Sequence, residues 1–159
     1  MAGVSALKGE VERMFLGQFY HNIDDKGRLT IPARFRELLA EEGGYIMQGF
    51  DLNLLVLPAA TFETISSRVS EMSMTDPTAR LLRRLVFSTA DRLDIDKAGR
   101  ILIPQFLRQA MLSENSVVVV GNGDYFEIWS PQEWTNQAGQ LQDAQSNAHR
   151  FSALNITSR

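Results

Sequence analysis

The chain has 159 residues, 44% of them hydrophobic and 22% charged, with a net charge of −3. That suits one ordinary globular domain, or two small ones sharing a core, and on its face speaks against a nucleic-acid partner. With no cysteine and only two isolated histidines, His21 and His149, the composition excludes disulfides, thiolate nucleophiles, thiolate zinc sites and a His-rich metal site.

In chain order, the opening MAGVSALKGEVER lacks the apolar core of a secretory signal, and no apolar run approaches membrane-spanning length. The expectation is a cytoplasmic protein. A strand is predicted near Phe15 to Ile23, entering a tight turn at Asp24-Asp25-Lys26-Gly27. Aspartate favours the turn start, and glycine supplies the positive φ of a bulged hairpin. The strand Arg28 to Ile31 follows, and Pro32 suits the first turn of a helix running to about Ala40. Strands are predicted at Tyr45 to Gly49 and Asn53 to Leu57. Phe62 to Arg84 reads as helical with a break at Thr75-Asp76-Pro77, where Asp76 or Thr75 caps a second helix.

The same order then repeats. A strand from Phe87 to Ile95, a turn at Asp96-Lys97-Ala98-Gly99, a strand Arg100 to Ile103, Pro104 and a short helix to about Leu112 precede strands at Val117 to Gly121 and Tyr125 to Trp129. Beyond Trp134 the chain is polar, and Leu141, Ala144, Ala148 and Phe151 offer a thin helical stripe that docks weakly or frays.

Shifting the sequence by 72 residues makes the repetition explicit. DDKGRLTIPARFR, residues 24–36, meets DKAGRILIPQFLR, residues 96–108, with six identities: Asp24/Asp96, Gly27/Gly99, Arg28/Arg100, Ile31/Ile103, Pro32/Pro104 and Arg36/Arg108. The frame extends to Phe15/Phe87, Ile23/Ile95, Gly49/Gly121, Val56/Ile128 and Phe62/Trp134. Each half is β-β-α-β-β and near 50 residues, too small for a core of its own, so the halves are expected to pack together.

Charge follows the repeat. Each of the two 13-residue windows carries a net +2, which leaves −7 for the rest of the chain. A polyanion responds to the local field, so a net-negative chain can still grip DNA through these two elements. Repetition and self-association would multiply a weak patch into a useful one.

Each candidate residue has a plainer alternative. Arg28 and Arg100 either bridge Asp24 and Asp96 inside their own turns or project to phosphates and guanine edges; both can hold together. Lys26 and Lys97 are either solvated turn residues or phosphate contacts. Arg34, Arg36 and Arg108, at helix starts, read as structural or interfacial before base-reading. Arg80, Arg83 and Arg84 read first as the solvated face of a helix. Asp24 beside Asp25 lacks the buried surroundings and the nucleophile that acid–base catalysis needs, so no catalytic or metal site is expected. Phe15, Phe87, Trp129 and Trp134 are read as core.

The D-x-x-x-R element at Asp24 to Arg28 and Asp96 to Arg100, each followed by apolar-x-I-P-x-x-apolar-R, resembles the AbrB-type swapped-hairpin DNA-binding fold. Two copies joined through DPTARLLRRLVF, with MFLGQF at Met14, resemble the MraZ family over roughly Met14 to Trp134. That resemblance implies an α+β chain in which two AbrB-like β-rich repeats form an intrachain pseudo-dimer. It implies an N-terminal extension at 1–13, expected to be disordered, a first repeat at 14–61, a helical linker at 62–85, a second repeat at 86–134 and a polar tail at 135–159. It also makes Met14 the expected initiator.

In function, the resemblance implies a non-enzymatic transcriptional regulator of the division and cell-wall gene cluster. Its partners would be double-stranded DNA and itself, as a ring-shaped homo-oligomer associated with the nucleoid, with no cofactor, membrane or small-molecule substrate. Lys26, Arg28, Lys97 and Arg100 would contact DNA, while Asp24, Gly27, Asp96 and Gly99 form the turns. The alternative is an AbrB-type antitoxin-like or scaffold protein acting mainly through protein contacts. The second turn departs from the first: Ala98 stands opposite Lys26, and the lysine moves to Lys97.

Overall fold

Each repeat folds in the predicted order, but neither pairs its strands with itself alone. The computed structural model describes residues 9–156; residues 1–8, most of the extension expected to be disordered, lie outside the described residues, and residues 9–12 form a helical turn. The first repeat contributes β1 (Gln18–Asn22), β2 (Arg28–Thr30), α1 (Ala33–Ala40), β3 (Gly44–Gln48) and β4 (Asn53–Pro58). Two helices follow, α2 (Ala59–Ser70) and α3 (Pro77–Thr89). The second repeat contributes β5 (Asp91–Leu93), β6 (Arg100–Leu102), α4 (Gln105–Met111), β7 (Ser116–Gly121) and β8 (Phe126–Trp129), then α5 (Pro131–Leu141) and α6 (Ala144–Phe151).

The main sheet has six antiparallel strands in the order β1-β7-β8-β4-β3-β5, and a two-stranded ribbon pairs β2 with β6. Strand β1 of the first repeat thus lies on the hairpin of the second, and β5 of the second lies on the hairpin of the first. The hairpins predicted around the Asp-Gly turns are therefore corrected. The turns are tight, but β1 and β2 share only a single bridge, Ile23 to Leu29. The reason is that each strand finds a better ladder in the other repeat.

The core fills the space enclosed by both copies. Leu29, Ile31, Phe35, Leu54 and Val56 meet Ile101, Ile103, Leu107, Phe126 and Ile128, all buried. Phe15, Phe35 and Phe126 form a ring cluster with centroids 5.0 to 5.3 Å apart. Burying each such side chain stabilises by about 1.5–3 kcal/mol, and residues of both repeats build the one cluster.

The 72-residue frame slips inside β7. Ile46 pairs with Val56 as Val119 pairs with Ile128, so β3 and β7 correspond with a shift of 73, while β4 and β8 keep 72. A one-residue slip inverts the faces of a strand. Val117 and Val119 consequently point into the shared core, and Val118 and Val120 point outward beneath Trp129 and Trp134. The expected match of Gly49 with Gly121 fails for this reason.

Other local expectations are refined. Asp76 caps α3 by accepting from the Thr78 N–H at 2.9 Å, with Pro77 in the first turn. Pro32 and Pro104 instead occupy the N-cap position, with ψ of 139° and 141°, one step outside the helix. The strand expected from Phe87 begins only at Asp91, because Phe87 belongs to α3, whose periodicity continues through it. Phe87 is 43% exposed and not core, whereas Phe15, Trp129 and Trp134 are buried as expected. The divisions placed at 61/62, 85/86 and 134/135 each fall within a helix. Among the described residues no helix is long and apolar enough to cross a membrane.

Candidate nucleic-acid interface

The two Asp-to-Arg turns have the same wiring. In the first, the Asp24 N–H donates to the Arg28 carbonyl (2.9 Å) and the Gly27 N–H to the Asp24 carbonyl (3.0 Å). Asp24 Oδ1 accepts the backbone N–H of Lys26 (3.0 Å) and Arg28 (2.8 Å), and Oδ2 accepts Arg28 Nε at 2.8 Å. In the second, Asp96 Oδ1 accepts from the Ala98 and Arg100 N–H groups, both at 2.9 Å, and Oδ2 accepts Arg100 Nε at 2.9 Å.

One carboxylate therefore shapes each loop and aims its arginine. The backbone N–H of Arg28, more than its guanidinium or the Lys26 N–H, holds the Asp24 carboxyl below its ordinary value. Asp96 is held down in the same way by the Arg100 N–H first. Both carboxyls stay ionised wherever the protein is folded near neutrality.

Each arginine spends only its Nε on this aspartate. Among the described hydrogen bonds, the terminal Nη groups of Arg28 and Arg100 make none, and Arg100 Nη1 lies 3.9 Å from Asp24 Oδ2 across the ribbon. The two readings of these arginines, turn bridge and outward cation, are thus compatible in one conformation. Lys26 and Lys97 are exposed and enter no ion pair among the described residues.

The ribbon locks the two turns to one another. Its register opposes Arg28 to Leu102, Leu29 to Ile101 and Thr30 to Arg100. Leu29 and Ile101 face the core, so Arg28, Leu102, Thr30 and Arg100 share the outward face. Beyond the ladder, the Ile31 N–H donates to the Gly99 carbonyl (3.0 Å) and the Ile103 N–H to the Gly27 carbonyl (2.9 Å).

Arg36 and Arg108 have a role that their position at helix starts did not reveal. Arg36 Nε donates to its own Ile31 carbonyl (2.8 Å) and Arg108 Nε to the Ile103 carbonyl (3.1 Å). Each guanidinium then lies over the turn glycine of the opposite repeat. A Cβ added at Gly99 would stand 2.5 Å from Arg36 Cζ, and one at Gly27 would stand 2.8 Å from Arg108 Cζ. The φ values of +80° at Gly99 and +82° at Gly27 require glycine, and a Cβ at either would also push aside the arginine above it. The signal was in the sequence: Arg36/Arg108 is one of the six identities of the repeat.

The cluster of Arg80, Arg83 and Arg84 is placed elsewhere. Arg80 Nη1 donates to the Met74 carbonyl at 3.1 Å, and Arg83 Nη1 to the Val69 carbonyl at 3.3 Å, closing the α2–α3 connection. Two of the three are thereby structural. Arg34 is exposed beside the ribbon. Together the two windows carry seven cations and three aspartates, a net +4.

The family described as "MraZ protein, putative antitoxin-like" matches residues 14–85 and again residues 86–155. The chain belongs to the MraZ family. Relatives named "Transcriptional regulator MraZ" include one from Thermomicrobium roseum, 44% identical over 142 residues, or 89% of this chain and 99% of the relative. Another, from Herpetosiphon aurantiacus, is 43% identical over 90% of this chain and all of its own length. A third, from Desulfitobacterium hafniense, is 39% identical over 85% of this chain and 94% of its own. The two MraZ matches meet at 85/86, within α3, so this helix closes the first repeat and leads into the second.

Proposed function

We propose that the protein is a transcriptional regulator that binds specific duplex DNA sequences through the paired turns at Asp24–Arg28 and Asp96–Arg100. The observation that carries this reading is the division of labour within each arginine. Its Nε is fixed by an aspartate, and its two Nη groups are left at the surface, the geometry a bidentate guanine or phosphate contact needs. Lys26 and Lys97 add salt-sensitive phosphate contacts. The names of the relatives support a regulatory role.

The exchange of first strands between repeats supports reading each half as an AbrB-like swapped hairpin, and the chain as an intrachain pseudo-dimer. By resemblance, the target is the promoter of the division and cell-wall gene cluster, and the protein works from the cytoplasm on the nucleoid. One ribbon of net +4 binds weakly, so a ring-shaped homo-oligomer presenting several ribbons to repeated sites supplies the affinity. This reading requires no cofactor and no catalysis.

The test is a mobility-shift titration on the DNA upstream of the protein's own gene, at two salt concentrations, for wild type and Arg28→Ala/Arg100→Ala. Each lost arginine should cost about 1–3 kcal/mol of affinity, while the melting curve stays near wild type. Feeble DNA affinity that ignores both substitutions would favour the antitoxin-like or scaffold reading, which the family description also suggests.

A further inference from the structure

The outward face of the β2–β6 ribbon is symmetric in its backbone and charges but not in its remaining side chains. Where the first repeat places Thr30 and Arg34, the 72-residue frame places Leu102 and Phe106. Thr30 and Arg34 belong on a wet, cationic surface. Leu102 is 58% exposed and Phe106 50% exposed, and Leu102 stands directly across the ladder from Arg28.

An exposed leucine at the end of β6, across from Arg28 on a ribbon whose turns also carry Lys26, Lys97 and Arg100, has few suitable occupants. Lysine is depleted at protein interfaces, so burying Leu102 against an apolar protein surface would leave Lys26 and Lys97 without anionic partners. The complement of this surface must be anionic, with an apolar spot beside the position that Arg28 faces. The major groove of duplex DNA has that form: phosphates line it, and the C5 methyl of thymine is the one apolar group on its floor. A two-stranded ribbon fits that groove.

We propose that Leu102, with Phe106 four residues on at the start of α4, reads a thymine methyl next to the base faced by Arg28. The second repeat thereby prefers a thymine-containing half-site that the first does not require. The inference rests on the DNA-binding reading above and assigns an orientation to it: the pseudo-symmetric ribbon would bind an asymmetric site in one direction.

The experiment begins with wild-type protein and a duplex enriched by it from a random pool. Footprinted thymines are then replaced one at a time by deoxyuridine, which removes the methyl and keeps the base pair. Wild type should bind one such duplex about fourfold more weakly, the worth of one buried methyl group, with the other replacements near neutral. Leu102→Ser, folded as judged by an unchanged melting curve, should bind the thymine and deoxyuridine duplexes alike. Equal wild-type affinity for every deoxyuridine duplex, a footprint without thymine, or methyl discrimination that survives in Leu102→Ser would each overturn the assignment and leave DNA binding standing. If the pool yields no enriched sequence, specific DNA binding itself falls, and this assignment with it.

Discussion

The place where the two repeats meet and the faces they turn outward have kept very different amounts of their common origin. At the ribbon, hydrogen bonds in the two turns agree to within about 0.1 Å, down to the paired bonds on each aspartate. On the outer faces the likeness fades. Repeat 1 packs Val69 of α2 and Val86 of α3 over Met47, Leu55 and Leu57 of its sheet, whereas repeat 2 covers its sheet with Trp134 on α5, and α6 buries no residue. The lesson is mechanical. A turn roofed by the other copy's arginine cannot drift without its twin, whereas an outer helix answers only to its own sheet.

That contrast can be broken from the inside first. Phe35→Ala removes a ring packed against Phe15, Phe19 and Phe126, and should cost about 3–5 kcal/mol. Denaturant titration reads it, and the loss should appear as one transition because both repeats share the core. Gly99→Ala should follow at about 1–2 kcal/mol for the left-handed backbone alone, with Arg36 pushed off the turn as well. Replacing Gly123 with Ala, at φ +79° but with open space where its Cβ would stand, separates the backbone cost from the arginine cost.

Acid should act next, and on both turns together. Asp24 and Asp96 titrate below their ordinary value of 3.8 when folded. Their contribution to stability is therefore whole above that value and is lost as pH falls through the lower folded-state value. The melting midpoint of wild type should drop more steeply below pH 4 than that of Asp24→Asn/Asp96→Asn. At the far end, Phe151→Ala on α6 should change the stability of the single chain by less than about 0.5 kcal/mol, since Phe151 is exposed. A cost as large as that of Phe35→Ala would mean that the two regions do not differ as described.

Sequence patterning carried the order of elements, both turns and a cap at Thr75 or Asp76, because these depend on neighbours a few residues apart, and a shift of 72 residues carried the doubling of the chain. It did not carry the exchange of strands. Phe19 and His21 form the half-buried face of β1, yet nothing in Gln18–Asn22 names Ser116–Gly121 as its ladder partner. The slip in β7 escaped for a related reason: a run of four valines, Val117 to Val120, reads the same in either register. At the candidate interface, Arg28 and Arg100 were legible from the turn chemistry. Arg36 and Arg108 were not, because their partners Gly99 and Gly27 lie in the other half of the chain.

The lending of β1 to β7 also has a consequence for synthesis. Tyr20 pairs with Val118, 98 residues downstream, so the first strand emerges from the ribosome long before any partner exists. Contacts so distant along the chain close late and leave edges open to wrong pairing. The composition QFYHN, with three polar side chains in five residues, lets that strand wait in water, whereas the valine-rich β7 meets a partner already made.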